Sequence, residues 1–334
     1  MPMPYEFGTP RPPDSSSPDH DTDLPRRTGR VHITARSRGA DVTALGSLAL
    51  HLPHAAASLA VVLAVSYALG QLAGLPWWAL FGCWVVSGAT LFHRPCERLL
   101  ARWLFGLRYP TPEEDGRLWP VWREVAARAG VDAHHYQLWI EESEEINAMA
   151  AAGHIVGVTS HSLWTLTPAQ LGGVLAHELG HHTRGHAWAT LLSLWYALPA
   201  RVAWRVLLRL AALLCRLPTG AAAVVIGMCG AALVALAAAT YGLIFLPLAT
   251  PYLVAAVSRR SELRADEHAA GLGFAPQLMA VLHQECARVE SRRATVPALG
   301  ATSTREGLVA RLLDSHPDVH TRLHHLQAHL ENRR

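Results

Sequence analysis

Residues 177–181 read His-Glu-Leu-Gly-His. On an α-helix, positions i and i+4 lie one above the other, so both imidazoles can reach a single ion. Glu178 follows His177 and can lean towards a water held on that ion. The chemistry offered is metal-assisted hydrolysis, with a carboxylate taking the proton from water. So short a pattern also arises by chance on an ordinary half-buried helix. The flanks weigh against that plainer reading. Thr167-Pro168-Ala169-Gln170 is a capping box with proline at the first helical position, so a helix starts where the motif needs one. Leu171, Val174, Leu175 and Leu179 then give it an apolar face.

A catalytic zinc takes three protein ligands and one water. The run from His182 to His186 resembles the HExxHxxGxxH extension of metzincins, but Gly185 and His186 each stand one position out of register and are rejected. The better source is the stretch from Ser258 to Asp266. There Glu262 and Asp266 are four apart on one helical face. Glu262 is expected to bind the metal, and Asp266 to accept an N–H from a ligand histidine. Alone this stretch is only a charged amphipathic helix; its meaning comes from the first motif.

These segments must be brought together by the rest of the chain. Residues 1–47, rich in Pro, Ser, Asp and Arg, are expected to be a disordered tail. No Asp, Glu, Lys or Arg occurs from Val42 to His93. Within 48–93 the run breaks at Gly74-Leu75-Pro76, which predicts a transmembrane hairpin of Ala55–Leu75 and Pro76–Phe92, with Trp77 and Trp78 as belt residues. Residues 94–186 form the first part of a protease domain. A helix is expected near Arg117–Gly130, with strands at Tyr136–Ile140 and near His154–Ser160.

A second membrane region covers 187–258, and 259–334 completes the domain. Arg201, Arg205 and Arg209 share one face of its first segment. Two readings of 187–216 stay open, a crossing helix with a polar face or a helix lying in the interface. Either way His177, His181 and Glu262 can share an ion only if the intervening chain crosses an even number of times. The fold class expected is a mainly α membrane protein: transmembrane helices plus an α+β gluzincin-type metalloprotease domain with a small sheet. Arginines flanking both apolar regions place the N-terminus and catalytic domain on the cytoplasmic side of a multi-pass cell-membrane protein.

Composition agrees with this. Apolar residues make up 51% of the chain and charged ones 16%, with a net charge of +3 and no long basic stripe. That excludes nucleic acid as the expected partner and leaves polypeptide substrates and the lipid bilayer. Five scattered cysteines with no CxxC pair fit a reducing compartment and no disulfide framework. The acidic cluster Glu141, Glu142, Glu144 and Glu145 reads as a solvated loop, and the C-terminal histidines as part of a histidine-rich chain.

HELGH, followed after an apolar region by SRRSELRAD, resembles the HtpX-like membrane zinc metalloproteases, relatives of the CAAX prenyl endopeptidases. Asn147-Ala148-Met149, the Leu166–Leu171 run, and Ser315-His316-Pro317 with Arg322 extend the resemblance over roughly Leu48 to Leu330. The resemblance implies Zn2+ on His177, His181 and Glu262, Glu178 as general base and Asp266 as support. It further implies that Asn147 and the adjoining strand pair with substrate backbone, and that His316 or Arg322 assists the transition state. Met149, where the family often carries an aromatic residue, is a departure. The activity implied is endopeptidase cleavage of membrane-associated or misfolded proteins. Prenyl-protein processing, a signalling protease cutting one regulator, and a non-catalytic zinc-binding scaffold are the alternatives; an intact Glu178 argues against the last.

Overall fold

The structure is a computed structural model that describes residues 41–151, 153–214, 246–295 and 318–332, with isolated positions between 220 and 234. Three helices come first: α1 (Val42–Leu50), α2 (Leu52–Ala73) and α3 (Trp77–Thr90). Residues 42–47, expected in the tail, instead lie in α1. Asp41 is the reason: its backbone N–H donates to the Arg184 carbonyl, and its carboxylate is held by Arg264 and Arg184.

Gly74 ends α2 in the left-handed conformation at φ 69°, which a glycine adopts without strain, and Pro76 opens α3. The Gly-Leu-Pro break therefore joins two helices, of 22 and 14 residues. Helix α4 (Arg94–Trp103) follows, carrying charge on one side. Its buried Glu97 accepts from the Gly153 amide at 3.1 Å and from His154 Nδ1 at 3.1 Å, tying the helix to the sheet.

The sheet has four short strands, β1 (Leu107–Arg108), β2 (Gln137–Glu141), β3 (Ala148–Ala151) and β4 (Ile155–Thr159), in the order β1-β2-β4-β3. β2 and β4 are parallel and the outer pairings antiparallel. Successive side chains point to opposite faces. Leu138, Ile140, Val156 and Val158 enter the main core, whereas Trp139, Ala151 and Ile155 pack on a second cluster with Leu91 and Leu191 near the apolar helices. Helix α5 (Pro112–Ala129) begins earlier than its apolar period suggested, because Thr111 and Glu114 form a capping box. Arg108 of β1 clamps Glu114 through two bonds of 2.7 Å.

After the short α6 (Ser160–Thr165) comes α7 (Pro168–Thr183), which runs through the middle of the domain. α8 (His186–Leu214) leaves from its C-terminal end as one continuous helix through Arg201, Arg205 and Arg209. α9 (Leu246–Gly271) returns, α10 (Ala275–Thr295) packs on α7, and α11 (Val319–Glu331) lies on α9 and α10. Leu52–Ala73 and His186–Leu213 are long and apolar enough to cross a membrane, by length and composition only. The chain is thus mostly helical with a small mixed sheet. The middle of the second apolar region lies outside the described residues.

Candidate metal centre

Helix α7 starts as its sequence required: Thr167 Oγ1 accepts from the Gln170 amide at 3.3 Å, and Gln170 Oε1 accepts from the Thr167 amide at 3.0 Å. From Leu171 to Gly180 every residue is buried. Glycines let neighbouring helices come close. A Cβ on Gly172 would stand 2.8 Å from the Phe274 ring, and one on Gly180 would stand 3.1 Å from Ala265 Cα. Gly180 lies between His177 and His181, and Ala265 between Glu262 and Asp266, so this contact sets the spacing of the two helices that carry the candidate ligands.

The donor atoms of His177, His181 and Glu262 lie within 4.8 Å of one another, the one group among the described residues that could hold a metal ion. His177 Nε2 stands 3.4 Å from Glu262 Oε2, and His181 Nε2 stands 3.3 Å from Glu262 Oε1. Ligands about 2.0–2.1 Å from a tetrahedral zinc are separated by roughly 3.3–3.4 Å, the spacing that these two pairs show.

His177 Nδ1 donates to Asp266 Oδ1 at 2.8 Å, which turns Nε2 towards Glu262. Asp266 has no solvent exposure. Arg322 from α11 grips both its oxygens, at 2.6 and 2.8 Å, and stands 3.7 Å from Glu262. Burial works against the charged imidazolium of His177, but the bonds from Asp266 and Glu262 outweigh it and push its pKa up to about 10. Burial works against the Asp266 carboxylate too, yet Arg322 and His177 hold it below the usual range. The centre is therefore an enclosed field that favours a cation.

Glu178 is buried, and burial raises its pKa from the ordinary carboxylate value, against a backbone hydrogen bond from Ala150. Ala150 belongs to β3, an edge strand of the sheet among the described residues. Thr159 donates its amide to the Asn147 carbonyl, so residues 147, 149 and 151 face β4. By the antiparallel alternation, Ala148 and Ala150 turn their backbone groups outward. These outward groups border a cleft of about 860 Å³ that also contains His177, Glu178 and His181. The cleft runs on between α1, α8 and α9 as far as Arg201.

The expected site residues thus fall into three groups. His177, Glu178, His181, Glu262 and Asp266 come together. Asn147 and Arg322 line the same cleft, but each is engaged by the protein. Asn147 Oδ1 accepts from the Ala148 amide at 2.9 Å, and its backbone is fastened by Ser162 and Thr159. Arg322 is spent on Asp266. His316 lies outside the described residues. His186, set aside with the metzincin reading, bonds Thr43 at 2.8 Å. Two contributions escaped the sequence reading. The Ser162 and Thr159 hydroxyls that seat Asn147 had only their position after a strand to mark them. The glycines of α7 were visible as Gly172, Gly173 and Gly180 on a helix that intrinsic propensity disfavours.

A family model, that of peptidase family M48, matches residues 112–330, from the first residue of α5 into the last turn of α11, more than half of the chain. No curated protein matches.

Proposed function

The chain belongs to peptidase family M48, as an HtpX- or CAAX-protease-like metalloprotease, and from that premise we propose that it is a zinc-dependent endopeptidase embedded in a membrane. The observation that carries the reading is the convergence of His177, His181 and Glu262 next to a buried glutamate and an edge strand of the sheet. His177, His181 and Glu262 would hold zinc, which when bound acidifies a water and polarises a peptide carbonyl. Asp266 fixes the His177 ring and its tautomer, and Arg322 neutralises the surplus charge behind the ligands. Glu178 takes the proton from the attacking water and returns it to the leaving amine; its raised proton affinity suits a group that must do both near neutral pH. The outward backbone of Ala148 and Ala150 would pair with an extended substrate, with Asn147 releasing the Ala148 amide as the substrate strand arrives.

Membrane embedding is supported by α2 and α8, and by large apolar residues such as Leu63, Leu69, Trp78 and Trp204 exposed along the helices. In this reading 48–93 and 187–258 are the membrane regions, the chain before Asp41 is cytoplasmic, and 94–186 and 259–334 form the cytoplasmic protease domain. Substrates would be membrane-associated or misfolded polypeptides that reach a cleft opening towards the apolar helices.

The test compares the parent in detergent with Glu178→Gln, measuring bound zinc and casein cleavage. We expect equal zinc and a fall in turnover of about 10²–10⁴-fold. Zinc bound by both with cleavage by neither would point to a scaffold or a single-substrate signalling protease. Zinc bound by neither would overturn the site.

A further inference from the structure

We propose that α4 and the turn after it lie in the headgroup layer of the bilayer as a contact for anionic phospholipid, which steadies the β3 strand beside the metal centre. Arg98 and Arg102 would meet the lipid phosphates, and Leu99, Trp103 and Leu104 the upper acyl chains. The proposal rests on the membrane reading above and names the lipid class that the site responds to. Its first observation is place. Only Leu91, Phe92 and His93 separate α3 from α4. The inner face of α4 joins the second core cluster, where Ala101 is buried with Leu91, Trp139, Ile155 and Leu191. Leu191 is the sixth residue of α8, about 7.5 Å from that helix's start. α4 therefore lies where α8, one of the two candidate spans, leaves the protease domain. That is the level at which an interfacial helix sits.

The second observation is the chemistry of the outward face. Trp103 is 86% exposed, Leu99 57% and Leu104 53%. Arg98 stands four residues from Arg102, and Leu99 four from Trp103, so a basic stripe runs beside an apolar one. The one acidic residue of α4, Glu97, is buried and turned inward onto the sheet. The outward charge is thus wholly positive. Among the described residues neither Arg98 nor Arg102 pairs with a carboxylate; Arg102 lies over the Tyr109 ring at 5.1 Å. Adjacent basic and apolar stripes match an amphiphile whose anionic head and apolar tail are joined. Tryptophan is the residue that settles at headgroup level.

The third observation links this face to the cleft. Glu97 accepts from the Gly153 amide and from His154 Nδ1, both at 3.1 Å, between the end of β3 and the start of β4. Within β3, the Ala150 backbone bonds Glu178. A helix pinned to the bilayer therefore holds still the strand that borders the cleft. Each arginine near an anionic surface favours it roughly fivefold, so the pair prefers it to a zwitterionic surface by about 25-fold.

The experiment places the full chain in nanodiscs of phosphatidylcholine, alone or with about 30% phosphatidylglycerol, beside R98E/R102E and R98K/R102K. Thermal melting checks that each variant folds. Hydrogen exchange should show the Arg98–Phe105 amides about 5- to 25-fold better protected with phosphatidylglycerol, an effect kept by R98K/R102K and lost in R98E/R102E. Raising salt from about 50 to 500 mM should weaken it. With a fluorogenic peptide, the parent's KM should fall about two- to fivefold with phosphatidylglycerol, and that of R98E/R102E should not respond. Exchange that is equal in the two lipids overturns the proposal. Protection that tracks protein concentration assigns the face to a second copy and also overturns it. Protection by phosphatidylglycerol with KM unchanged overturns the link to β3. A chain that does not enter the discs fails the membrane reading, and the proposal with it. A chain that enters, responds to the lipid by exchange and cleaves nothing fails the endopeptidase reading alone, and the lipid site stands.

Discussion

Gly180→Ala is the sharpest probe of how the metal site is built. The added methyl would sit 3.1 Å from Ala265 Cα and 3.2 Å from His268 Cβ, whereas carbon atoms rest at about 3.5–4.0 Å. Both neighbours are parts of a packed helix and cannot swing aside, so α7 and α9 must separate by roughly 0.5 Å. Two energies then oppose each other. Alanine improves helix propensity by about 1 kcal/mol, while overpacking costs about 1–3 kcal/mol, leaving a small loss of stability. The metal is less forgiving, since ligand distances hold within about 0.2 Å. His181 and Glu262, now 3.3 Å apart, sit on the two helices being separated.

We expect zinc affinity to fall about 10–100-fold, or roughly 1.4–2.7 kcal/mol, in a protein that still folds. Competition with a chromophoric chelator measures the affinity, and thermal melting in detergent checks the fold. Gly116→Ala is the control. Its Cβ would meet nothing within 4 Å, so it should leave zinc binding unchanged and stabilise α5 by about 0.5–1 kcal/mol. A folded Gly180→Ala chain with the parent's zinc affinity would refute the claim that this helix contact sets the ligand geometry.

Asp266→Asn keeps the shape but removes the charge shared by His177 and Arg322. It should weaken zinc about 10–100-fold and cost about 3 kcal/mol, read by the same competition and by melting. Arg108 holds the Glu114 carboxyl at about 2, below its ordinary 4.5. Because the folded-state value is depressed, that stabilisation is complete above pH 4.5 and is lost as pH falls through about 2. The melting temperature should drop across that window in the parent and drop less in Glu114→Gln; parallel curves would refute the assignment. Trp122 is fully buried and donates Nε1–H to the Ala133 carbonyl at 3.1 Å, so Trp122→Phe should destabilise by about 1–3 kcal/mol in a melt with zinc bound.

Much of the centre was legible because its geometry is local. His177, Glu178 and His181 are fixed by helical periodicity, and the capping box at Thr167 announced where that helix starts. Glu262 is distant in sequence, yet its four-residue spacing from Asp266, on a helix directly after the apolar region, pointed to it. The strands were harder. β2 and β4 carry Trp, Ile and Val and were anticipated within about a residue, whereas β1 has two residues and β3 is built from alanine and methionine. Such segments have no propensity of their own and are strands only because β2 and β4 offer partners. The helical residues 42–47 were hidden for a similar reason, since what orders them is the long-range clasp of Asp41 by Arg264. Arg322 resembled a substrate contact by motif; its bond to Asp266 depends on α11 lying across α9, which no local pattern encodes.

The clasp of Glu262 and Asp266 onto α7 has a consequence in time. A ribosome adding about 5–20 residues per second leaves His181 waiting roughly 4–16 s before residue 262 is made, and longer before Arg322 closes behind Asp266. During that interval the nascent chain carries the HELGH helix with two of its three candidate ligands. The complete donor set is in this way assembled only after the apolar stretch between the two halves has been synthesised, so a product that stalls before residue 262 lacks its third candidate ligand.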